Sequence, residues 1–335
     1  MTMTLISQLG EKRIISEIIR PLFNPSGLKA GIGDDCALIQ VPDGHSVVMS
    51  TDRIPSNLFA FKHGIIDFYG LGYYLATLNL SDIAAAGGTP VGVLLNFGLP
   101  DDFLVDDLRK LMAGAATCVE QNGGKILGGD LSWASEISLS ATSIGLVPGQ
   151  RMVTRSDAMP GDVVFTSRQP GLTPAAFSVF SGKANDTLFD DAETAVLKGQ
   201  FCLSPETTLG QTLGSSTYRA TCMDNTDGIG QSLSEISQLS GVKIVITPST
   251  FSAHPIVSKV AATLHMDEID LILGAGADFG LVGTIEESAY LQLSVKFQLT
   301  RLGYVESGTG LYLKSNNTFI PYSPSGWNYF NNDIK

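Results

Sequence analysis

Val47-Val48-Met49-Ser50-Thr51-Asp52 is an apolar run of strand length that ends in two hydroxyls and a carboxylate. The design recurs in Lys125-Ile126-Leu127-Gly128-Gly129-Asp130 and in Ala220-Thr221-Cys222-Met223-Asp224-Asn225-Thr226-Asp227. A fourth acidic cluster, Gly31-Ile32-Gly33-Asp34-Asp35, precedes the first. Carboxylates at strand ends, beside glycines that let a ligand approach the backbone, suit hard cations and the phosphates they carry.

Outward from these runs, strands alternate with helices. Phe68–Ala86 has helical spacing, with Leu71, Leu75, Leu78 and Ile83 apolar, and stops at Gly87-Gly88. Val91–Phe97 reads as a buried strand. Asp102–Glu120 reads as a helix whose acidic start suits its dipole, and Lys125–Leu127 and Ile137–Ser143 read as strands. Before them, Leu5, Leu9, Ile15, Ile18, Ile19 and Leu22 predict an amphipathic N-terminal helix broken by Pro21 and Pro25. Pro148-Gly149 and Asp157-Ala158-Met159-Pro160-Gly161-Asp162 are turn chemistry twice over. Strands and helices then interleave again through Val163–Thr166, Pro174–Phe180, Ala192–Lys198, Tyr218–Met223, Ile229–Leu239, Val242–Ile246, Pro255–Leu264 and Phe279–Thr284. The fold class predicted is α/β (mixed α+β), with an N-terminal sheet-and-helix domain over 1–148 and a C-terminal α/β domain over 149–335.

Composition narrows the function classes. The chain has 335 residues, 44% hydrophobic and 16% charged, with 33 acidic against 21 basic side chains and a net charge of −12. That balance argues against a nucleic-acid partner, which calls for a basic stripe; bound phosphates would need divalent metal for positive charge. The cysteines Cys36, Cys118, Cys202 and Cys222 lack zinc-site spacing. Met1–Gln8 has no signal-peptide pattern, and no apolar run reaches the roughly 18 residues of a membrane span. The expectation is a cytoplasmic protein without a membrane partner.

Each acidic motif also has a plain structural reading: a Ser/Thr/Asp turn at 50–52, a solvent-facing Asp82 in Asn79-Leu80-Ser81-Asp82-Ile83-Ala84-Ala85-Ala86, a glycine turn before Asp130, an N-cap at Thr226 or Asp227. Their recurrence at strand ends favours a multi-metal triphosphate site. Gly-x-x-x-x-Gly-Lys-Ser/Thr and a Gly-x-Gly-x-x-Gly after a strand are both absent.

Taken in order, Gly31–Leu38, Ser50-Thr51-Asp52, Asn79–Ala85, Gly128-Gly129-Asp130, Arg155-Ser156-Asp157-Ala158-Met159-Pro160-Gly161-Asp162, Met223–Gly228 and Gly326-Trp327 resemble the thiamine-monophosphate kinases. These belong to a superfamily with aminoimidazole ribonucleotide synthetase and selenophosphate synthetase. The resemblance spans nearly the whole chain and implies a homodimer formed through the N-terminal domains. It implies Mg2+ held by Asp35, Ser50, Thr51, Asp52, Asp82, Asp130, Asp224 and Asp227, and ATP contacted by Gly129, Asp130, Arg155 and Thr226. Asp52, Asp130 and Asp227 would carry catalysis, and Trp327 would pack on the substrate.

Two substrate positions depart from the family pattern. Phe59 stands where the family has a histidine, and the family's Ser-Gly-Gly-Glu-Asp-Tyr-Glu-Leu reads Gly274-Ala275-Gly276-Ala277-Asp278-Phe279-Gly280-Leu281. The substrate-contacting glutamate becomes Ala277, while Asp278 is kept. The function implied is ATP- and Mg-dependent phosphoryl transfer to thiamine monophosphate or another small phosphorylated or heterocyclic acceptor. Asp278 is the candidate base if the acceptor is a hydroxyl. The alternatives are a synthetase of the aminoimidazole ribonucleotide type and a non-catalytic nucleotide-binding subunit.

Overall fold

The computed structural model describes residues 13, 15–19, 34–41, 44–316 and 318–324. The first sheet holds β1 (Ala37–Gln40), β2 (His45–Arg53), β3 (Thr89–Leu99), β4 (Lys125–Trp133) and β5 (Ser138–Pro148), in the order β1-β2-β5-β3-β4. Its pairs are antiparallel except β3–β4, which is parallel and leaves β4 at the edge. On β5, Leu139, Ala141, Ser143, Gly145 and Val147 are buried, while the residues between them are more open. One face of this sheet is therefore packed.

Helices α1 (Phe59–Lys62), α2 (Phe68–Ala85) and α3 (Val105–Gln121) follow from the same half. The Asp67 carboxylate caps α2 by accepting from the Gly70 N–H at 3.0 Å. Most of α2 is buried on every side, because it packs on the sheet, on α3 and on elements of the second half. Its crossing with α3 is backbone-close. A Cβ on Gly72 would lie 1.9 Å from the Leu111 carbonyl oxygen, and one on Gly114 equally near that of Tyr69.

The second sheet contains β6 (Val163–Thr166), β7 (Ala220–Asp224), β8 (Lys243–Ile246), β9 (Leu281–Ile285), β10 (Thr300–Glu306), β11 (Gly310–Ser315) and β12 (Thr318–Pro321), ordered β12-β11-β8-β10-β6-β9-β7. Its helices are α4 (Leu172–Phe180), α5 (Asp191–Gly199), α6 (Thr207–Ser215), α7 (Ile229–Ser240), α8 (Pro255–Leu264), α9 (Glu268–Leu273) and α10 (Glu287–Phe297). Asp190 and Glu193 close a capping box on α5. Ala84 and Ala85 of α2 share an apolar cluster with Phe165, Leu209, Leu213 and Cys222, so one core joins the two halves beside β7.

The structure differs from the sequence reading in several places, among them β1 and α1, which the sequence reading does not contain. β4 runs on through Gly128-Gly129-Asp130 to Trp133, so Asp130 lies within a strand rather than at its end. The glycines permit this: Gly129 has φ 154°, and a Cβ there would lie 1.8 Å from the Leu95 carbonyl oxygen on β3. Helices α6, α9 and α10 were not legible. In α6, Thr207–Ser215 is rich in threonine and glycine, and burial of Leu209, Gly210 and Leu213 against the first half overrides weak propensity. Most of the N-terminal helix expected over Leu5–Leu22 lies outside the described residues, as do Gly31–Gly33 and Trp327; within them, Ile15–Ile19 forms a short π-helical segment.

Candidate functional site

Three acidic residues from distant parts of the chain converge where α2 meets β7. Carboxylate oxygens of Asp35, Asp82 and Asp224 lie within 4.8 Å of one another. Asp35 comes from the loop before β1, Asp82 from the last turn of α2, and Asp224 from the final position of β7. Asp82 and Asp224 are 7% and 4% exposed, which rules out the solvent-facing alternative for Asp82. Asp52, on β2, joins them: its carboxyl is hydrogen-bonded to that of Asp82.

Strand β2 and helix α2 supply the groups that orient these acids. Ser50 Oγ donates to Asp82 Oδ2 at 2.6 Å, and Ser81 Oγ donates to Asp224 Oδ2 at 2.5 Å. Asn79 Oδ1 accepts from the Asp52 N–H at 3.1 Å, fixing the β2 backbone at the acid. Residues 79, 81 and 82 thus place three polar groups at the buried end of an apolar helix. Ser81 and Asn79 were quoted in the sequence motif without a role; their spacing beside Asp82 was the available signal.

Burial is the first cause of the electrostatics. It pushes the carboxyls of Asp82 and Asp224 well above the usual range, and mutual repulsion, with Asp35 and Asp52 contributing, pushes them further. Asp52 is also raised, chiefly by burial, against a lowering from its bond to Asp82. Among the described residues, Arg155 supplies the compensating positive charge. Its Nε and Nη2 donate to both oxygens of Asp35 at 3.0 and 2.7 Å, and Nη1 donates to Glu235 at 2.5 Å. Its backbone N–H donates to Asp34 at 3.2 Å. Glu235, in the middle of α7, carried no sequence signal.

Asp130 is not in this cluster. Strand register aligns Asp52, Ala141, Leu95 and Gly129 in one row, and Arg53, Ser140, Asn96 and Asp130 in the next. Leu95 and Ala141 are buried, so the Asp52 row faces the packed side and Asp130 faces the open one. Three strand spacings separate β2 from β4, on the order of 14 Å. Thr51 Oγ1 donates to the Ala141 carbonyl at 2.9 Å. Thr226 and Asp227 are half-buried between β7 and α7, and the Asp227 charge acts on Asp52.

The residues that the family resemblance suggests for substrate contact lie apart from the carboxylates. Asp278, 5% exposed, donates its N–H to the Asn225 carbonyl at 3.0 Å, and its Oδ1 accepts from the Gly280 N–H at 2.8 Å. Burial raises its carboxyl to about 6, against lowering by hydrogen bonds from the Gly280 N–H and the Asn225 side chain and by the Arg168 charge. Ala277 is half-buried beside it. Phe59 stacks with Phe177, ring centroids 5.3 Å apart, and lies 6.1 Å from Phe201. An all-oxygen cluster of buried carboxylates and hydroxyls suits a hard divalent cation.

Comparison with known proteins places this geometry. A family model described as AIR synthase related protein, N-terminal domain, matches residues 33–147. Thiamine-monophosphate kinase of Synechococcus elongatus is 30% identical over 284 residues, covering 83% of this chain and 82% of that protein. The protein of the same name from Bacillus subtilis is 27% identical over 330 residues, covering 96% and 100%. A solved structure described as AaThiL complexed with AMPPCP and TMP superposes with a TM-score of 0.83 at 22% identity, covering 98% of this chain and 100% of that one, and so shares the fold.

Proposed function

The chain belongs to the thiamine-monophosphate kinase family and is an ATP-dependent phosphotransferase, and from that premise we propose that it transfers the γ-phosphoryl group of ATP to the phosphate of a small acceptor, with thiamine monophosphate the first acceptor to test. The AaThiL structure, which holds AMPPCP and TMP, supports both ligands for the shared fold. The observation that carries the proposal is the convergence of Asp35, Asp82 and Asp224, with Asp52 bonded to Asp82. Acids buried this way repel one another and are pushed toward their neutral forms; a divalent cation relieves both costs.

Magnesium fits this oxygen-only set, with Asp35, Asp52, Asp82 and Asp224 as ligands and Ser50 and Asp227 at its margin, while the exposed Thr51 side chain lies on the open face with Asp130. When bound, it supplies neutralising charge to the phosphates being transferred. Ser50 and Ser81 hold the Asp82 and Asp224 carboxylates in fixed orientations, and Asn79 holds the backbone of Asp52. Arg155 withholds Asp35 until a cation or a phosphate competes for it. Asp130 and Gly129, exposed and outside the buried shell, are assigned with Thr226 to the nucleotide rather than to the same ion. A phosphate acceptor is ionised near neutral pH, so no strong general base is required.

We divide the chain at 148/149, where β5 ends at Pro148. A homodimer is proposed through the open face and β4 edge of the first sheet, where Leu94, Leu127, Leu131 and Trp133 are exposed. A cytoplasmic location is part of the same reading; no helix among the described residues is long and apolar enough to cross a membrane.

The test is ADP release from ATP with magnesium and thiamine monophosphate, alongside thermal melts with magnesium and AMPPCP. Acceptor-dependent ADP release and a magnesium-dependent rise in melting temperature are expected. Absence of any magnesium-dependent AMPPCP binding would sink the kinase reading.

A further inference from the structure

Resting on the phosphoryl-transfer reading, we propose that Arg168 binds the phosphate of the acceptor, because its side chain lies over Gly280 beside Asp278 and its buried Nε has no partner. The placement follows from strand pairing. Ser167 extends β6 by donating its N–H to the Leu281 carbonyl at 2.9 Å, and its Oγ accepts from the Leu281 N–H at 2.8 Å. Arg168 therefore lands over Gly280. A Cβ on Gly280 would lie 2.9 Å from Arg168 Cγ and 3.0 Å from Asp278 Oδ1. The family pattern has glutamate at this position, and here its absence makes room for the arginine stem.

The guanidinium is anchored at one end only. Nη2 donates to the Ser204 carbonyl and pairs with Glu206 at 3.2 Å. Nε is buried and unpartnered, as is Oδ1 of Asn225, whose residue is 3% exposed. Asn225 follows Asp224 directly, and its carbonyl accepts from Asp278 and Phe279. A contact chain thus runs from the carboxylate cluster through Asn225 and Asp278 to Arg168. On the far side, Phe201 lies three residues from Ser204 and packs on Phe177 at 5.1 Å, which in turn stacks on Phe59.

Buried polar atoms without partners are costly unless a ligand meets them. The group that fits a guanidinium fork best is a carboxylate or phosphate. Arg155 is committed to Asp35 and Glu235, which leaves Arg168 as the arginine beside Asp278 with donor capacity to spare. Between an acidic cluster and an aromatic wall, it supplies the positive charge that a phosphate acceptor needs near its nucleophilic oxygen.

The experiment measures binding of thiamine monophosphate, thiamine and inorganic phosphate by calorimetry, with magnesium and AMPPCP present. Wild type should bind the monophosphate at least about tenfold tighter than thiamine, and Arg168→Gln should erase about tenfold or more of that ratio while leaving AMPPCP affinity unchanged. Inorganic phosphate should lose affinity in step, which keeps the test valid if the acceptor is not thiamine monophosphate. Glu206→Gln keeps the guanidinium and removes its competitor, so it should tighten phosphate by about two- to fivefold; a purely structural role gives no gain. An unchanged ratio in Arg168→Gln, or a wild type with no phosphate-dependent gain for either probe, overturns the assignment. If Arg168→Gln does not fold, the sign of the Glu206→Gln effect decides. Loss of magnesium-dependent AMPPCP binding in wild type would instead indict the kinase reading.

Discussion

The carboxylate wall and the wall proposed for the acceptor differ in how far the chain satisfies its own charges. On the first wall, Asp35, Asp52, Asp82 and Asp224 share one guanidinium, and that guanidinium is spent on Asp35 and Glu235. On the second, Asp278 has a backbone N–H, Asn225 and Arg168 around a single carboxyl. The first wall is over-charged and calls for an external cation; on the second the carboxyl is balanced within the chain, and what is left unmet are two polar atoms, the neutral Asn225 Oδ1 and the cationic Arg168 Nε. Function therefore opposes stability more strongly on the carboxylate side.

The sharpest way to break that contrast is Asp82→Asn. Turnover of ATP should fall by about 10²–10³-fold or more, and magnesium should no longer raise the melting temperature. The ligand-free protein should nevertheless melt about 2–4 °C higher, because a repelling buried charge is gone. A lower ligand-free melting temperature would mean that Asp82 is not in repulsion with its neighbours.

Arg155→Ala tests the same wall from the cationic side. Removing one partner of a buried pair leaves Asp35, whose side chain is 3% exposed, without its guanidinium. A loss of about 3–5 kcal/mol in denaturant unfolding is expected, with saturating magnesium restoring part of it. No recovery with magnesium would place Asp35 outside the cation site.

On the acceptor wall the prediction is a pH slope. Asp278 is raised to about 6, chiefly by burial. The folded state therefore keeps a proton that the unfolded state has released, and stability falls as pH rises from about 4 through about 6, by on the order of 3 kcal/mol from this group. Asp278→Asn should flatten that part of the wild-type curve. An identical slope in the variant would show that the carboxyl ionises freely in the fold.

The smallest effect is expected of Asp130→Asn. Asp130 is exposed on the open sheet face, so stability and the magnesium-only shift should stay within about 0.5 kcal/mol of wild type while AMPPCP binding weakens. Loss of the magnesium-only shift would bring Asp130 into the same ion site as Asp82.

The alternation of strands and helices was legible because apolar periodicity is local. Phe68–Ala86 was recognisable from spacing and its glycine stop, and Ile229–Leu239 from spacing; the helices run over Phe68–Ala85 and Ile229–Ser240. Helix α6 was not, since its threonines and glycines become helical only when Gly210 meets the backbone of Ala84. Asp82 was ambiguous for a related reason: helical spacing fixes its azimuth but not what lies opposite, and that is β7 with Asp224.

By itself the sequence determined which residues are acidic and that strands and helices would alternate along the chain, because pattern and turn chemistry act over a few residues. Only the tertiary structure decided that Asp35, Asp52, Asp82 and Asp224 share one buried space while Asp130 faces away. That outcome depends on strand register and on which faces are covered, and both are settled by packing between segments far apart in the chain.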